Sequence, residues 1–171
     1  LMYSFGQRQD TRVLDEPLFG HFLKHTGVVR PSREEVLACM PTTKEGALAS
    51  LSPGHDDEVL FLKHMANHIE GWSWIDLDGS KHRHVILTRH PDGVLPSYGA
   101  HMTSPTMLDL GYAHQRHILE LANPVVVTAE SLFAEPKAVL MRLCEALELP
   151  WSQDMLTWPA GGRSEDGVWA K

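Results

Sequence analysis

Two side chains suited to binding phosphate follow an apolar segment in the middle of the chain. Residues 84–88 are mostly Val, Ile and Leu between polar flanks, which predicts a strand buried on both faces. Arg89 comes next, and Ser97 stands eight residues later, beyond a His-Pro-Asp sequence typical of a first helical turn. A guanidinium at a strand end and a hydroxyl two turns into a helix can converge on one anion. The spacing predicts that Arg89 and Ser97 bind phosphate.

A second apolar segment, residues 59–62, predicts another buried strand, and residues with acid–base chemistry follow it directly. Lys63 supplies a cation, while His64 and His68 supply imidazoles whose unperturbed pKa of roughly 6.5 suits them to accept a hydroxyl proton. The two histidines also stand at i and i+4, a spacing that can hold a metal on one helix face. The Glu of the His-Glu-x-x-His motif is absent and no third ligand is evident. We therefore rank metal binding below proton transfer.

The elements that must position these residues alternate between strand and helix. Residues 125–127 predict a third buried strand and residues 11–15 a weaker one, while 106–122 and the segment after Pro136 have helical periodicity. This alternation predicts an α/β fold with a central, mainly parallel sheet and helices on both faces. Residues 52–54 predict a turn. The carboxyl ends of the strands are expected to meet at one edge, where open α/β folds bind ligands.

Acidic residues end the weaker strand, and they have two interpretations. Asp15 and Glu16 precede Pro17, where a helix is predicted to begin. Their carboxylates could face an acceptor substrate, or they could cap the helix with favourable charge at its amino end. Capping is the interpretation that we favour from the sequence alone.

Composition limits the class of protein. The chain has 171 residues, 43% of them hydrophobic, which predicts a single domain spanning 1–171. A net charge of −7 argues against binding to nucleic acid or to an anionic membrane surface. No apolar run approaches the roughly 20 residues of a membrane span, and no signal peptide is visible. We expect a cytoplasmic protein, and a homodimer is left open.

Two blocks of the sequence resemble the sulfotransferase family. The pattern Arg-x-Pro-x-x-x-x-x-Ser-Tyr that begins at Arg89 looks like the 3′-phosphate-binding segment of these enzymes. Residues 125–151 resemble them in the order of strand, Glu-x-Leu, Pro and a helix ending in Leu-x-Leu-Pro. The resemblance implies a three-layer P-loop-type α/β fold and 3′-phosphoadenosine 5′-phosphosulfate (PAPS) as co-substrate, with no metal required. The implied reaction transfers a sulfuryl group to a hydroxyl or amine of a small-molecule acceptor.

The resemblance also implies roles for residues around the two central strands. Arg89 and Ser97 match the positions that contact the donor's 3′-phosphate. Lys63 matches a lysine that follows the equivalent strand in cytosolic sulfotransferases, and His68, before His64, matches their catalytic histidine. Lys63 would then stabilise the transferred group, and the histidine would act as general base.

The two ends of the chain carry weaker resemblances. The tail looks like a Gly-x-Trp loop that closes over the donor nucleotide, and this likeness extends to Arg163, Gly167 and Trp169. The sequence from Leu1 to Phe5 is typical of the interior of an amphipathic helix. In sulfotransferases, the loop that cradles the 5′-phosphosulfate lies just before such a helix, so we expect that loop upstream of Leu1, outside the given chain.

Two alternative functions stay open on sequence grounds. One is a P-loop kinase-like phosphotransferase that uses a nucleoside triphosphate and magnesium, and the other is a non-catalytic nucleotide- or partner-binding domain of the same fold. Arg89 and Ser97 favour a donor with a 3′-phosphate over ATP, and no carboxylate clearly takes the role of holding magnesium. The sequence does not identify the acceptor.

Overall fold

The computed structural model describes residues 1–51, 59–99 and 104–170, so the turn predicted at 52–54 lies outside the described residues. The strands of the described part are β1 (Thr11–Asp15), β2 (Val59–Lys63), β3 (Val85–Thr88) and β4 (Val125–Thr128). Its helices are α1 (Met2–Phe5), α2 (Phe19–Thr26), α3 (Arg33–Cys39), α4 (Lys44–Ser50), α5 (Trp74–Leu77), α6 (Pro91–Gly99), α7 (Met107–Leu110), α8 (Tyr112–Ala122), α9 (Ala129–Ala134) and α10 (Pro136–Ala146). Short 3₁₀ helices cover Ala66–Ile69, Gln153–Leu156 and Val168–Ala170.

The chain forms two compact units, each with its own core. The first comprises Leu1–Asp76 and Gln153–Lys171, and the second comprises Leu77–Ser152. Each contains one parallel pair of strands, β1 with β2 in the first unit and β3 with β4 in the second. Helices and short parallel sheets confirm the predicted α/β class, including the parallel pairing of the segments around 85–87 and 125–127.

Aromatic side chains build the core of the first unit. Phe5 on α1 is fully buried and stacks on Phe61 of β2, with 4.5 Å between ring centroids. Phe22 on α2 is also fully buried. Gly27 ends α2 in the left-handed conformation, with a φ of 69°, which a residue without a Cβ adopts at little cost. The stacking of Phe5 on Phe61 holds α1 against the strand that ends at Lys63.

The second unit packs α10 against its strands. Pro136 begins α10 at a position where its missing N–H is not needed. The buried hydrophobic side chains of this unit lie on one face of α10, on the two strands and at the start of α9: Ile86, Val127, Ala129, Val139, Leu140, Leu143 and Cys144. The apolar face predicted for this helix is therefore confirmed.

Two details of the predicted elements are wrong. The strands were expected to be buried on both faces, but Leu87 on β3 and Val126 on β4 are 43% and 48% exposed. A sheet of two strands covers too little of either face to bury every residue. The helix expected over 106–122 is two helices, because Gly111, with a φ of 69°, ends α7 and precedes α8. Among the described residues, the longest apolar helical stretch is too short to cross a membrane.

Candidate functional site

The register of the first sheet places charged residues side by side at its carboxyl edge. Asp15, the last residue of β1, is directly opposite Lys63, the last residue of β2. Glu16 follows Asp15, and its backbone N–H donates to the Lys63 carbonyl at 2.7 Å. Because parallel strands end at the same edge, this pairing gathers one cation and two carboxylates at the position where α/β folds bind ligands.

The Lys63 ammonium binds both carboxylates, and we call Asp15, Glu16 and Lys63 together the Lys63 cluster. Its Nζ lies 3.0 Å from Asp15 Oδ1 and donates a short hydrogen bond to Glu16 Oε1. The Asp15 and Glu16 side chains are only 7% and 8% exposed, whereas that of Lys63 is 35% exposed. Burial raises the pKa of Glu16, although Lys63 opposes the effect. Burial also disfavours the charged form of Lys63, but the two carboxylates outweigh it and raise the pKa of Lys63. The lysine is therefore the stable cation of the cluster, and Glu16 is the residue able to exchange a proton.

Glu16 does not cap helix α2, so that interpretation of the sequence is wrong. The N-cap residue of α2 is Leu18, no side chain caps this helix end, and the first turn contains no acidic residue. The Glu16 backbone instead has a φ of 49°, a left-handed conformation that costs free energy for a residue with a side chain. This conformation accompanies the placement of the carboxylate beside Lys63, and backbone strain of this kind is typical of functional sites.

His68 lies beside Glu16 but is enclosed by aromatic rings. It is 3% exposed, its ring stacks on Phe19 at 4.7 Å, and the Phe22 ring is 4.8 Å away. Burial, and secondarily the neighbouring His64, lowers the pKa of His68 to about 3. Its Nδ1 lies 3.9 Å from Glu16 Oε2. At neutral pH the imidazole is therefore uncharged and a weak proton acceptor.

The two histidines do not share a helix face. His64 lies between β2 and the 3₁₀ helix Ala66–Ile69, which contains His68. The i, i+4 arrangement expected for a metal pair is therefore not formed, because the intervening residues are not α-helical. Within the described ranges, no group of three or more His, Cys, Asp or Glu side chains is arranged to hold a metal ion.

The C-terminal tail joins the same cluster. The Gly167 backbone N–H donates to Asp15 Oδ2 at 3.4 Å, while the other oxygen of this carboxylate faces Lys63. The Trp169 ring covers Gly167 so closely that a Cβ there would lie 2.2 Å from it, and it meets Phe19 edge-on at 5.0 Å. Gly167 and Trp169 were selected on a family resemblance alone; the structure places Gly167 against Asp15 and Trp169 against Gly167 and Phe19.

Arg163 is held nearby by the first helix. Its guanidinium carbon lies 5.0 Å from the centre of the Tyr3 ring, and its backbone N–H donates to Asp166 at 2.8 Å. The Tyr3 hydroxyl donates to the same carboxylate at 2.7 Å. The guanidinium atoms Nε and Nη2 are buried and hydrogen-bond to no atom of the described chain. These two nitrogen atoms therefore retain hydrogen-bonding capacity that the described chain does not use.

A groove runs along β1 on the first unit. It has a volume of about 510 Å³, and Asp15 forms part of its wall. The remaining lining combines apolar and polar side chains: Arg12, Val13, Leu14, Pro17, Met40, Pro41, Ser50, Ser164 and Glu165. The groove is large enough for a small organic molecule, and Asp15 is the residue of its lining that also contacts Lys63.

Arg89 and Ser97 share a helix face in the second unit. Arg89 follows β3, and its guanidinium crosses the first turn of α6 so closely that a Cβ at Gly93 would lie 2.6 Å from Arg89 Nε. Ser97 lies four residues after Gly93 on α6 and therefore on the same face, one turn further along. The guanidinium and the hydroxyl are both exposed. The convergence of Arg89 and Ser97 on one phosphate stays a prediction.

Comparison with known proteins covers the chain from end to end. A family model described as sulfotransferase domain matches residues 1–171. Two relatives from Arabidopsis thaliana, named branched-chain-amino-acid aminotransferase-like protein 1 and protein 2, are 39% and 37% identical over 99% of this chain. The chain spans 31% of the length of each of these relatives. No solved structure matches.

Proposed function

The chain belongs to the sulfotransferase domain family, and on this basis we propose that it transfers a sulfuryl group from PAPS to a hydroxyl or amine of a small acceptor molecule. The observation that carries the proposal beyond the family match is the buried Glu16–Lys63 pair at the carboxyl edge of β1 and β2. Sulfuryl transfer needs a base on the acceptor hydroxyl and a cation near the transferred group. This pair supplies both at one place.

Glu16 is better suited than His68 to be the base. A carboxylate whose pKa is raised by burial accepts a proton more readily than an ordinary glutamate does. A histidine with a pKa of about 3 loses most of its advantage at neutral pH. We therefore propose Glu16 as the general base and Lys63 as the cation that faces the transferred group. His68 is the alternative base, as predicted from the sequence, and His64 is the next candidate after it.

We propose Arg89, Ser97, Arg163, Gly167 and Trp169 as the residues that bind the donor. Arg89 and Ser97 present a cation and a hydroxyl on one helix face, which suits the donor's 3′-phosphate. Arg163 offers unused guanidinium N–H groups for a phosphate oxygen, and Trp169 and Gly167 would bind the remainder of the nucleotide. PAPS itself supplies an activated sulfuryl group, so the residues of this chain need only bind, orient and remove a proton. We propose no metal in the reaction.

The wider expectations from the sequence remain part of the proposal. We propose that the chain is one domain of the three-layer P-loop type, with a mainly parallel central sheet. We propose that it acts in the cytoplasm without a nucleic-acid or membrane partner, as its net charge of −7 favours. The groove beside Asp15 is our choice for the acceptor, because Asp15 lines it and is the chain neighbour of the proposed base Glu16.

Nucleotide binding to the full-length protein tests the donor. We expect adenosine 3′,5′-bisphosphate to bind more tightly than AMP in calorimetry, and Arg89→Ala to reduce this preference by about 10- to 150-fold, as for a charged hydrogen bond of about 1.5 to 3 kcal/mol. Equal affinity of the unmodified protein for the two nucleotides would refute the 3′-phosphate site. If the protein instead binds ATP with magnesium more tightly than adenosine 3′,5′-bisphosphate, a phosphotransferase is favoured.

Turnover tests the base. Transfer of labelled sulfate from PAPS to a panel of simple alcohols, phenols and amines is expected to fall by about 10² to 10⁴ in Glu16→Gln, the effect of losing a general base. His68→Phe, which keeps an aromatic ring between Phe19 and Phe22, is expected to retain most of the activity. The reverse result, with Glu16→Gln active and His68→Phe inactive, assigns the base to His68.

A further inference from the structure

We propose that Gly93 positions Arg89 for the donor's 3′-phosphate, because any side chain at position 93 would occupy the space where the guanidinium lies. This inference rests on the proposed function. A Cβ on Gly93 would stand 2.6 Å from Arg89 Nε, 3.0 Å from Cζ and 3.2 Å from Nη2. The first distance is shorter than a carbon and a nitrogen can approach without bonding. The guanidinium can keep this position only while residue 93 has no Cβ.

The main chain around Arg89 is held in place, so crowding at position 93 would move the Arg89 side chain alone. The Tyr112 hydroxyl donates to the Arg89 carbonyl at 2.6 Å. The His90 backbone N–H donates to the Glu130 carboxylate at 3.1 Å. These two hydrogen bonds tie the end of β3 to α8 and α9. A methyl group at position 93 would therefore displace the guanidinium and leave the strand end where it is.

The direction in which Arg89 lies matters because of Ser97. Gly93 and Ser97 are one helical turn apart on α6, so a guanidinium lying over Gly93 is on the face that presents the hydroxyl. A guanidinium lifted off this face would no longer share one phosphate group with Ser97. Glycine is also a poor helix former, so its presence in this turn lowers helix stability relative to alanine.

The test compares Gly93→Ala with Gly99→Ala in the full-length protein. Gly99 is at the end of the same helix, and a Cβ there would meet no atom of the described residues within 4 Å, which makes it a matched control. Calorimetry with adenosine 3′,5′-bisphosphate and with AMP measures the preference for the 3′-phosphate, and thermal unfolding measures stability. We expect Gly93→Ala to lower the preference about tenfold or more while AMP affinity is retained and the unfolding midpoint rises or is unchanged. Gly99→Ala should keep the preference.

The Arg89→Ala background gives a second readout. If Gly93 acts through Arg89, adding Gly93→Ala to Arg89→Ala should change the affinity for adenosine 3′,5′-bisphosphate no further. Three results would overturn the inference. Gly93→Ala could keep the unmodified protein's preference for adenosine 3′,5′-bisphosphate over AMP, or it could weaken the binding of both nucleotides equally. Its effect on affinity could also add fully to that of Arg89→Ala. A lack of preference in the unmodified protein instead refutes the 3′-phosphate site, so the two failures are distinguishable.

Discussion

Replacing His68 by Phe should flatten the pH dependence of folding stability. The His68 imidazole is 3% exposed and lies between Phe19 and Phe22, where a phenyl ring can take its place without leaving a cavity. Burial lowers the pKa of His68 to about 3. In the unfolded chain the ordinary pKa is roughly 6.5, so below that pH the unfolded state binds a proton that the folded state does not. The stability that depends on a neutral His68 is therefore fully present above the unfolded pKa and is lost as the pH falls toward 3.

The size of the effect follows from the two pKa values. Between pH 7 and pH 5 the linkage relation gives a loss of about 2 kcal/mol in the free energy of unfolding, because the unfolded histidine becomes almost fully protonated while the buried one stays neutral. Urea unfolding at the two pH values measures this loss in the unmodified protein and in His68→Phe. Contributions from carboxylates are common to both proteins and cancel in the comparison. We expect the unmodified protein to lose about 2 kcal/mol more than the variant.

His117→Gln is the matched control, since it removes an exposed histidine from α8 and leaves the buried cluster intact. Its stability should depend on pH as that of the unmodified protein does. If His68→Phe shows the same loss between pH 7 and pH 5 as the unmodified protein, then His68 is not buried as a neutral group. The argument for Glu16 as the better base would lose its main support.

Three further measurements test the framework around the sites. Phe22→Ala should lower the free energy of unfolding by about 3 to 5 kcal/mol, because it opens a cavity at a fully buried position; a loss below about 1 kcal/mol in denaturant titration would contradict this packing. Thr106→Ala should cost about 1 kcal/mol in the same titration, since the Thr106 hydroxyl and the Asp109 carboxylate form a capping box at the start of α7, and an unchanged midpoint would argue against the cap. Tyr112→Phe removes the hydrogen bond to the Arg89 carbonyl and should weaken adenosine 3′,5′-bisphosphate more than AMP in calorimetry, whereas equal weakening would show that this bond does not act on the 3′-phosphate site.

The positions of the buried strands and of their ends were predictable, because they depend on the local pattern of apolar residues. Continuous apolar segments gave β2, β3 and β4, and the residues that follow such segments are close to the sheet edge in any parallel arrangement. Lys63 and Arg89 could be selected for this reason. Within α6, helical periodicity places Ser97 on the face of Gly93, one turn away.

Burial and backbone conformation were not predictable in the same way. His68 was preferred as the base because of its distance from β2, but Phe19 and Phe22 enclose it from another part of the chain. Glu16 was interpreted as a helix cap because acidic residues before a helix usually are. Its positive φ and its bond to Lys63 depend on the β1–β2 register, which no local pattern specifies. A lysine at one strand end and consecutive acidic residues at another were the available signal, and they become informative only when the two strands are known to pair.

The net charge of the Lys63 cluster determines the order of two proposed steps, proton removal from the acceptor and stabilisation of the transferred group. With both carboxylates ionised, the cluster carries one cation and two anions, so it would repel an approaching sulfuryl group. When Glu16 accepts the acceptor's proton, the cluster becomes neutral and Lys63 keeps Asp15 as its only charged partner. The ammonium can then interact more strongly with the negative charge that develops on the transferred group and the leaving phosphate. Removing the acceptor's proton and stabilising the transferred group would thus be linked through Glu16, a carboxylate whose pKa is raised by burial.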